Sequence, residues 1–541
     1  MFEPNADVRA RVAELSDLEL LHLVAGDGPA LKGNLAMAKR YNAEPIEAGR
    51  IDRRGIEGVR FTDGPRGVVM GRSTAFPVPM SRGAAFDPDL EEQIGDAIGV
   101  EARAQGANFF GGVCINLLRH PAWGRAQETY GEDSHLLGEL GAALVRGSQR
   151  HVMACIKHYA CNSMENSRFW VDVKIDEADL RDLYLPHFER CVDEGAASVM
   201  SAYNKVNGEW CGGNHHLLTE ILKQDWGFEG FVVSDFTAGV RGTGLACFEA
   251  GLDVEMPFGW RFKRLGRALR SGRLDKARLL DAAARLLHQQ ERQAERGQPE
   301  RYVPEAIASP EHRALARQAA VAGTVLLQND GLLPFDPERT TSIAVIGKLA
   351  AIANTGDLGS SRVRAPEVVT LLDGLRAAGE RHGVTIAHDD GADREAAAAL
   401  AARCDAVVVA VGNTFRDEGE WVGKDGGDRK RLTLRPVDEA LVQRVARANA
   451  RSAVVLFGGS VFVTEAWRSQ VGAMLMAWYA GMEGGAALAD RRRDVRGARP
   501  PLVRARRRSG RDAALAPGQG YQEPRHARRG VGTAGWDGCP D

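Results

Sequence analysis

Charged and hydrogen-bonding side chains follow several short apolar runs in the first half of the chain. One aspartate at the end of a strand more often caps a helix, but five polar strand ends together indicate a polar cleft. Their side chains could hold several hydroxyl groups at once, because a hydroxyl both donates and accepts. We therefore predict a cleft for a sugar. The residues concerned are Asp63, Arg119, Arg125, Lys157, His158, Tyr203 and Asp235.

Asp235 stands out among these residues. It is the last residue but one of the stretch GFEGFVVSDF, residues 227–236, in which Phe231–Val233 form an apolar run typical of a strand buried on both faces. A carboxylate in such a position is costly unless the protein uses it. Nearby Lys157 and Arg125 are expected to keep it ionised.

The elements that must position these residues form a βα repeat over residues 1–290. Amphipathic helices such as DEADLRDLYLPHFERCVDE separate the apolar runs. We predict a (β/α)8 TIM-like barrel, whose active site lies at the C-terminal ends of the strands. The candidate strands are GVRFTD, GGVCINLL, HVMACIKHY, ASVMSAY, GFVVSDF and LDVEM.

A second block follows a stretch rich in proline, glycine and charge, which we interpret as a linker over residues 291–310. Residues 311–490 again alternate apolar runs with helical patterns, and they predict an α/β sandwich domain whose pattern stops in mid-helix, as in an incomplete domain. Its candidate strands are SIAVIG, VTIAH, AVVVAVGN, SAVVLFGG and AMLMAWYAG.

The composition narrows the classes of function. The chain has 541 residues, 44% of them hydrophobic, and a net charge of −2, so it has no general attraction to nucleic acid or anionic membranes. No apolar run approaches the length of a membrane span, and the start lacks the pattern of a signal peptide. Eight cysteines without CxxC spacing indicate buried, reduced thiols. We expect a soluble cytoplasmic protein with a small-molecule partner.

Four segments carry a resemblance to a known family. RHPAWGRAQETYGEDSHL, IKHYACN, VMSAYNKVNG and GFEGFVVSDF resemble, in order and spacing, the signature segments of glycoside hydrolase family 3, which includes many β-glucosidases. The likeness runs from about Leu18 to Asp490. It implies a barrel joined to an α/β sandwich, a retaining mechanism without a cofactor, and Asp235 as the nucleophile. It also implies that the terminal sugar is bound by Asp63, Arg125, Lys157, His158 and Tyr203.

A retaining glycosidase needs a second carboxyl group about 5 to 5.5 Å from the nucleophile. In family 3 it commonly lies on a loop of the second domain, and the matching loop here is GNTFRDEGEWVGKDGGDRKRLTL. This loop offers Asp417, Glu418 and Glu420. The family often has Glu-Gly before an aromatic residue, so Glu418 is our first choice and Glu420 stays open.

Several alternatives can be weighed on the same residues. The N-acetylhexosaminidase branch is disfavoured, because KHYACNSMENSR replaces its KHFPGHG loop. The pair His215 and His216 has no third ligand at metal spacing, and AVIGKLA does not complete a dinucleotide motif. Phe236 stands where the family usually has tryptophan, so the sugar stays open between glucose, xylose and other β-linked sugars. A catalytically impaired sugar-binding protein is the alternative from another class.

The last 51 residues differ from the rest. Residues 491–541 hold 13 arginines, no lysine and 5 acidic residues, without helical or strand periodicity. We expect this tail to be disordered. Its composition resembles a shifted reading frame, and the alternative is a genuine basic arm that binds a polyanion.

Overall fold

The computed structural model describes residues 2–28, 40–422 and 425–489, so the predicted tail lies outside the described residues. The first sheet has the strand order β1-β2-β3-β4-β6-β9, and a small sheet at its rim has the order β5-β7-β8. The strands are β1 Ile46–Ala48, β2 Val59–Thr62, β3 Phe109–Cys114, β4 Met153–Tyr159, β5 Asp172–Val173, β6 Ser198–Ser201, β7 Lys205–Val206, β8 Glu209–Trp210 and β9 Phe231–Val233.

The first sheet closes on itself through single bridges. Val233 pairs with Val254, Glu255 pairs with Ala25, and Gly26 pairs with Ala48 of β1. The ring confirms the predicted barrel followed by a sheet domain. It departs from a regular (β/α)8 barrel because β1 is antiparallel to β2. The ten residues between these two strands are too few for the helical crossover that a parallel pair requires.

Helices surround the barrel between these strands. Asp87 and Asp133 accept hydrogen bonds from backbone N–H groups at the start of α4 and α5, as N-caps do. The two helices pack so closely at Gly147 that a Cβ there would lie 2.0 Å from the Glu92 carbonyl oxygen. This approach requires glycine. The helices are α1 Ala6–Ala13, α2 Asp17–Leu23, α3 Pro79–Gly83, α4 Pro88–Ala104, α5 Ser134–Ser148, α6 Glu177–Asp179, α7 Pro186–Asp193, α8 Gly244–Glu249, α9 Leu265–Arg270 and α10 Lys276–Arg296.

The second sheet has the order β10-β17-β16-β13-β11-β12. All neighbouring pairs are parallel except β10 with β17. Strands β14 and β15 form a separate hairpin. Of the candidate acid/base residues, Asp417 and Glu418 lie just before β14 and Glu420 lies within it. The strands are β10 Val325–Asn329, β11 Ser342–Ile346, β12 Thr385–Asp389, β13 Ala406–Gly412, β14 Gly419–Val422, β15 Asp425–Gly427, β16 Ser452–Phe457 and β17 Ala473–Met476.

Helices lie on both faces of the second sheet. Its central strand β13 is buried throughout, which explains its run of valines and alanines. The helices are α11 Pro310–Gly323, α12 Leu371–His382, α13 Arg394–Arg403, α14 Pro436–Ala448 and α15 Gly484–Ala489. Helix α10 continues to Arg296, inside the segment interpreted as a linker.

Loops of the second domain contact the barrel rim through buried polar groups. Arg66, from the loop after β2, donates to the carbonyl oxygens of Ser361 and Asp357 at 2.9 and 2.7 Å. The N–H of Arg429 donates to the Ala122 carbonyl oxygen at 2.7 Å. The groups in both contacts are backbone atoms or buried side chains. These hydrogen bonds therefore hold the barrel loops and the loops of the second domain in place against each other.

Two strand predictions need correction in detail. LDVEM forms only single bridges at Val254 and Glu255 rather than a strand. Strand β10 at the edge of the second sheet was not predicted, because its side chains are only partly buried and show no clear alternation. Within the described residues, no helix is both long enough and apolar enough to cross a bilayer.

Candidate active site

Asp235 lies just beyond β9 and is 7% exposed. Its Oδ1 accepts a hydrogen bond from the Phe236 N–H at 2.7 Å. Its Oδ2 has no hydrogen-bond partner among the described residues, and His158 Nε2 lies 3.9 Å away. Burial raises the pKa of Asp235 to about 6, against the opposing charges of Arg125, Arg168 and Lys157. This pKa favours the ionised form at neutral pH, and Oδ2 is the oxygen that no described residue engages in a hydrogen bond.

Asp63 and Lys157 form a buried ion pair beside this carboxylate. Lys157 Nζ donates to Asp63 Oδ1 at 2.6 Å, and the hydroxyl of Tyr41 donates to Oδ2 at 2.8 Å. Burial raises the pKa of Asp63 although Lys157 opposes it. The strand ends of β2 and β4 thus present an acceptor and a donor side by side, as the sequence predicts.

His158 and Arg125 form the next part of the site. Arg125 Nη1 lies 3.3 Å from His158 Nε2, and Glu128 holds the guanidinium through bonds of 3.0 and 2.7 Å. Asn116 Oδ1 accepts from the backbone N–H of His158 at 2.8 Å and lies 3.2 Å from Nδ1 of its ring. Burial, together with Arg125, Lys157 and Arg168, lowers the pKa of His158 well below its ordinary value. The imidazole is therefore neutral and can exchange hydrogen bonds with hydroxyl groups.

Aromatic rings line one side of the site. Tyr203 follows β6 and donates its hydroxyl proton to the Phe236 carbonyl oxygen at 2.7 Å. The ring of Phe236 packs on Phe61 with 4.6 Å between centroids and meets the edge of Tyr41 at 6.3 Å. These contacts bury the rings of Phe61 and Phe236 next to Asp235.

Glu418 lies away from these groups. Its side chain is fully buried within the second domain, where Oε1 accepts from the Gly459 N–H at 2.7 Å and from the Tyr479 hydroxyl at 2.6 Å. Arg429 pairs with Oε2. All these partners belong to the second domain, so Glu418 has the contacts of a residue that holds the loop. Asp417 accepts from Thr414 at 2.9 Å within its own loop.

Glu420 reaches the barrel. Its Oε1 accepts from Arg168 Nη1 at 2.8 Å, and its Oε2 accepts from the Ser360 N–H at 2.5 Å. Burial pushes the pKa of Glu420 upward, but Arg125 and Arg168 outweigh it and hold that pKa below its usual range. Glu420 is therefore a carboxyl group of the second domain that contacts the barrel loop carrying Arg168.

The arrangement includes residues that the sequence analysis missed. Tyr41 and Asn116 carried no signal, because neither stands at the end of a predicted strand. Glu165 and Arg168 lie in the stretch KHYACNSMENSR, where a buried charge pair could have been suspected from the spacing of three residues. Within the described parts of the chain, no group of three His, Cys, Asp or Glu side chains is arranged to hold a metal ion.

Two family models match the chain. The glycosyl hydrolase family 3 N-terminal domain matches residues 34–289, and the family 3 C-terminal domain matches residues 324–491. These bounds agree with the barrel and the second sheet.

Proteins of similar sequence belong to the same class as these family models. A β-glucosidase from Rhizobium radiobacter is 39% identical over 61% of this chain and 41% of the relative. Thermostable β-glucosidase B from Acetivibrio thermocellus is 34% identical over 81% of this chain and 60% of the relative. The chain thus spans about two fifths to three fifths of the length of these curated relatives.

A solved structure shows the same arrangement of domains. The β-D-glucoside glucohydrolase from Trichoderma reesei superposes with a TM-score of 0.81 at 27% identity, over 90% of this chain and 71% of that chain. The two family models together cover most of the sequence, and the order of the barrel and the second sheet agrees with them. The chain therefore belongs to glycosyl hydrolase family 3.

Proposed function

We propose that the protein is a retaining, exo-acting β-glycosidase that releases a terminal β-linked glucose. The observation that carries this proposal is Asp235, a buried carboxylate with one free oxygen at the centre of a ring of hydroxyl-binding side chains. A group of this kind can attack an anomeric carbon to form a glycosyl-enzyme intermediate.

The sugar would be held by five side chains around this nucleophile. Asp63 offers a hydrogen-bond acceptor and Lys157 a charged donor. Two adjacent hydroxyl groups of a sugar can bind to this pair together. Neutral His158, Arg125 and the Tyr203 hydroxyl supply further contacts. All five are at most 8% exposed, which favours binding of a single terminal ring and therefore an exo-acting enzyme.

The second carboxyl is proposed to be Glu420 rather than Glu418. Glu420 contacts Arg168 of the barrel, whereas the hydrogen bonds of Glu418 all stay within the second domain. As general acid, Glu420 would protonate the leaving oxygen. As general base, it would then take a proton from the water that attacks the intermediate.

Glucose is the first choice of sugar because the relatives described above are named β-glucosidases. Phe236 and its aromatic neighbours leave β-xylose and other β-linked sugars as alternatives, and a sugar-binding protein without activity is the alternative of another class. A panel of aryl β-glucoside, β-xyloside and β-galactoside distinguishes them. Hydrolysis of the glucoside at the highest kcat/KM is the expected result, and no hydrolysis of any member would overturn the proposal.

The nucleophile is tested by trapping with an activated 2-deoxy-2-fluoro-β-glucoside, followed by peptide mapping. The label should fall on Asp235. Asp235→Asn should take up no label, while Asp193→Asn, an exposed change on α7, should be labelled like the wild type. A label on another carboxylate would contradict the assignment.

A further inference from the structure

Arg168 is shared between two carboxyl groups of unequal environment. Its Nη1 lies 2.8 Å from Glu165 Oε1 and 2.8 Å from Glu420 Oε1. Glu165 belongs to the same barrel loop as Arg168, whereas Glu420 comes from the second domain. One guanidinium can therefore neutralise either carboxylate without any side chain moving.

The two carboxyl groups differ in how their oxygens are satisfied. Both oxygens of Glu420 accept hydrogen bonds, from Arg168 and from the Ser360 N–H. Glu165 Oε1 accepts from the Trp421 N–H at 2.9 Å, but its buried Oε2 has no partner in the described residues. A buried carboxylate oxygen without a donor is costly for the ionised form of the group. Burial accordingly raises the pKa of Glu165 to about 8.

The surroundings of the pair are charged on several sides. The charges of Arg125 and Arg168 lower the pKa of both Glu165 and Glu420, and the charge of Glu420 raises the pKa of Glu165. Asp357 accepts from the Glu420 N–H at 2.8 Å, and Asp428 accepts from the Glu165 N–H at 3.0 Å. Among the described residues, Tyr41 and Tyr203 are further titratable groups on which the charge of Glu420 acts.

We propose that Glu165 is a positioning residue that exchanges ionisation with Glu420 across Arg168 during catalysis. This inference rests on the proposed function. In the acid form, Glu420 is protonated and Arg168 pairs with ionised Glu165. In the base form, Glu420 is ionised and paired with Arg168, and Glu165 is protonated.

The exchange balances over one turnover. Asp235 attacks the anomeric carbon, the glycosidic C–O bond breaks, and the proton of Glu420 goes to the leaving oxygen. Glu165 then takes a proton from solvent as Arg168 turns its charge to Glu420. In the second step Glu420 takes a proton from water, the resulting hydroxide displaces Asp235, and Glu165 returns its proton to solvent. Without Glu165, protonation of Glu420 would leave the buried charge of Arg168 without a partner, which is unfavourable.

The test is the pH profile of Glu165→Gln, which keeps the acceptor for the Trp421 N–H but cannot ionise. With a glucoside that has a poor leaving group, the basic limb of kcat/KM should move to lower pH by about one unit or more, because Arg168 then belongs to Glu420 alone. With an activated aryl glucoside the effect should be much smaller, since departure of that group needs little protonation.

For a second variant, Arg168→Gln, we expect the opposite shift of the pH profile. Removing the shared cation should move the basic limb to higher pH, because Glu420 then keeps its proton longer. Glu132→Gln removes one negative charge from an exposed position. This control should leave the basic limb of the pH profile unchanged. Thermal unfolding checks that each variant is folded, and if Glu165→Gln does not fold, Glu165→Asn takes its place with the same downward movement of the limb expected.

A merely structural role would lower activity in both variants without opposite movement of the limb. A basic limb of Glu165→Gln that coincides with that of the wild type, with azide rescue of Glu420→Ala intact, would overturn this inference alone. Absence of azide rescue would instead remove Glu420 as the acid/base and with it the proposed function of the pair.

Discussion

The carboxylate of Asp428 in the second domain accepts a hydrogen bond from the N–H of Gly124 in the barrel at 2.9 Å. The same carboxylate accepts from the N–H groups of Glu165 and Asn166 at 3.0 and 2.9 Å. One side chain thus fixes the two barrel loops that carry Arg125 and Arg168. The position of Glu420 relative to Asp235 therefore depends on contacts between the domains as well as on either domain alone.

Asp428→Ala should lower kcat/KM by up to about 10²-fold, because small displacements of reacting groups have effects of that size. The nucleophile itself should remain competent, so the 2-fluoro glycoside should still label Asp235, although more slowly. Steady-state kinetics and mass spectrometry measure the two effects. Asp417→Ala, which breaks only a local loop contact, is the control, and equal kinetics of Asp428→Ala and wild type would contradict the prediction.

Asp235→Asn should abolish hydrolysis and also stabilise the fold at neutral pH. The folded pKa of about 6 lies above the ordinary value of 3.8, so the folded state binds the proton more tightly than the unfolded state. The ionised group therefore destabilises the fold above about pH 6, by up to about 3 kcal/mol, and this cost disappears as the pH falls toward 4.

Urea unfolding of both proteins at pH 7 and pH 4 checks this expectation. The free energy of unfolding of Asp235→Asn should exceed that of the wild type at pH 7 and approach it at pH 4. Asp193→Asn should show no such difference. A variant less stable than the wild type at pH 7 would mean that the carboxylate has favourable partners that its contacts do not include.

Much of this architecture could be predicted from the sequence. Strands such as β13 are continuous apolar runs, so their burial on both faces is visible in the residues themselves. Lys157, His158 and Asp235 follow such runs directly, and the parallel arrangement brings strand ends to one edge. Strand β1 has only three residues and is antiparallel, so neither its length nor its direction could be read from periodicity.

The choice between Glu418 and Glu420 could not be made in this way. Residues two apart on a strand normally share a face, but Gly419 between them has φ of 139°, a conformation that favours glycine. A Cβ at Gly419 would also lie 2.5 Å from Asp357 Cβ. The chain turns at this glycine, which sends Glu418 into the second domain and Glu420 toward the barrel.

Lys157→Met should lower the free energy of unfolding by about 3 to 5 kcal/mol, because it leaves Asp63 buried without its cation. The double variant Asp63→Asn with Lys157→Met should recover a large part of that loss, since no unpaired charge remains. Both variants should lose activity. Urea unfolding of the two single variants and the double variant measures the coupling between the residues, and additive effects would show that the pair is not coupled.

Glu420→Ala should lower kcat by about 10³-fold for a glucoside with a poor leaving group, which is within the range of general acid catalysis. The loss should be far smaller in the glycosylation of an activated aryl glucoside. Azide should restore turnover and yield a β-glycosyl azide, because it attacks the intermediate without a base.

Glu418→Ala is the matched comparison, since it removes the neighbouring carboxylate. It should lower thermal stability, because Arg429 would lose its buried partner, and its activity should depend on the leaving group as the wild type's does. Kinetics with leaving groups of graded pKa, with and without azide, separate the two glutamates. If Glu418→Ala shows azide rescue and Glu420→Ala does not, the acid/base role belongs to Glu418, and the loop must move during catalysis to bring it out of its buried contacts.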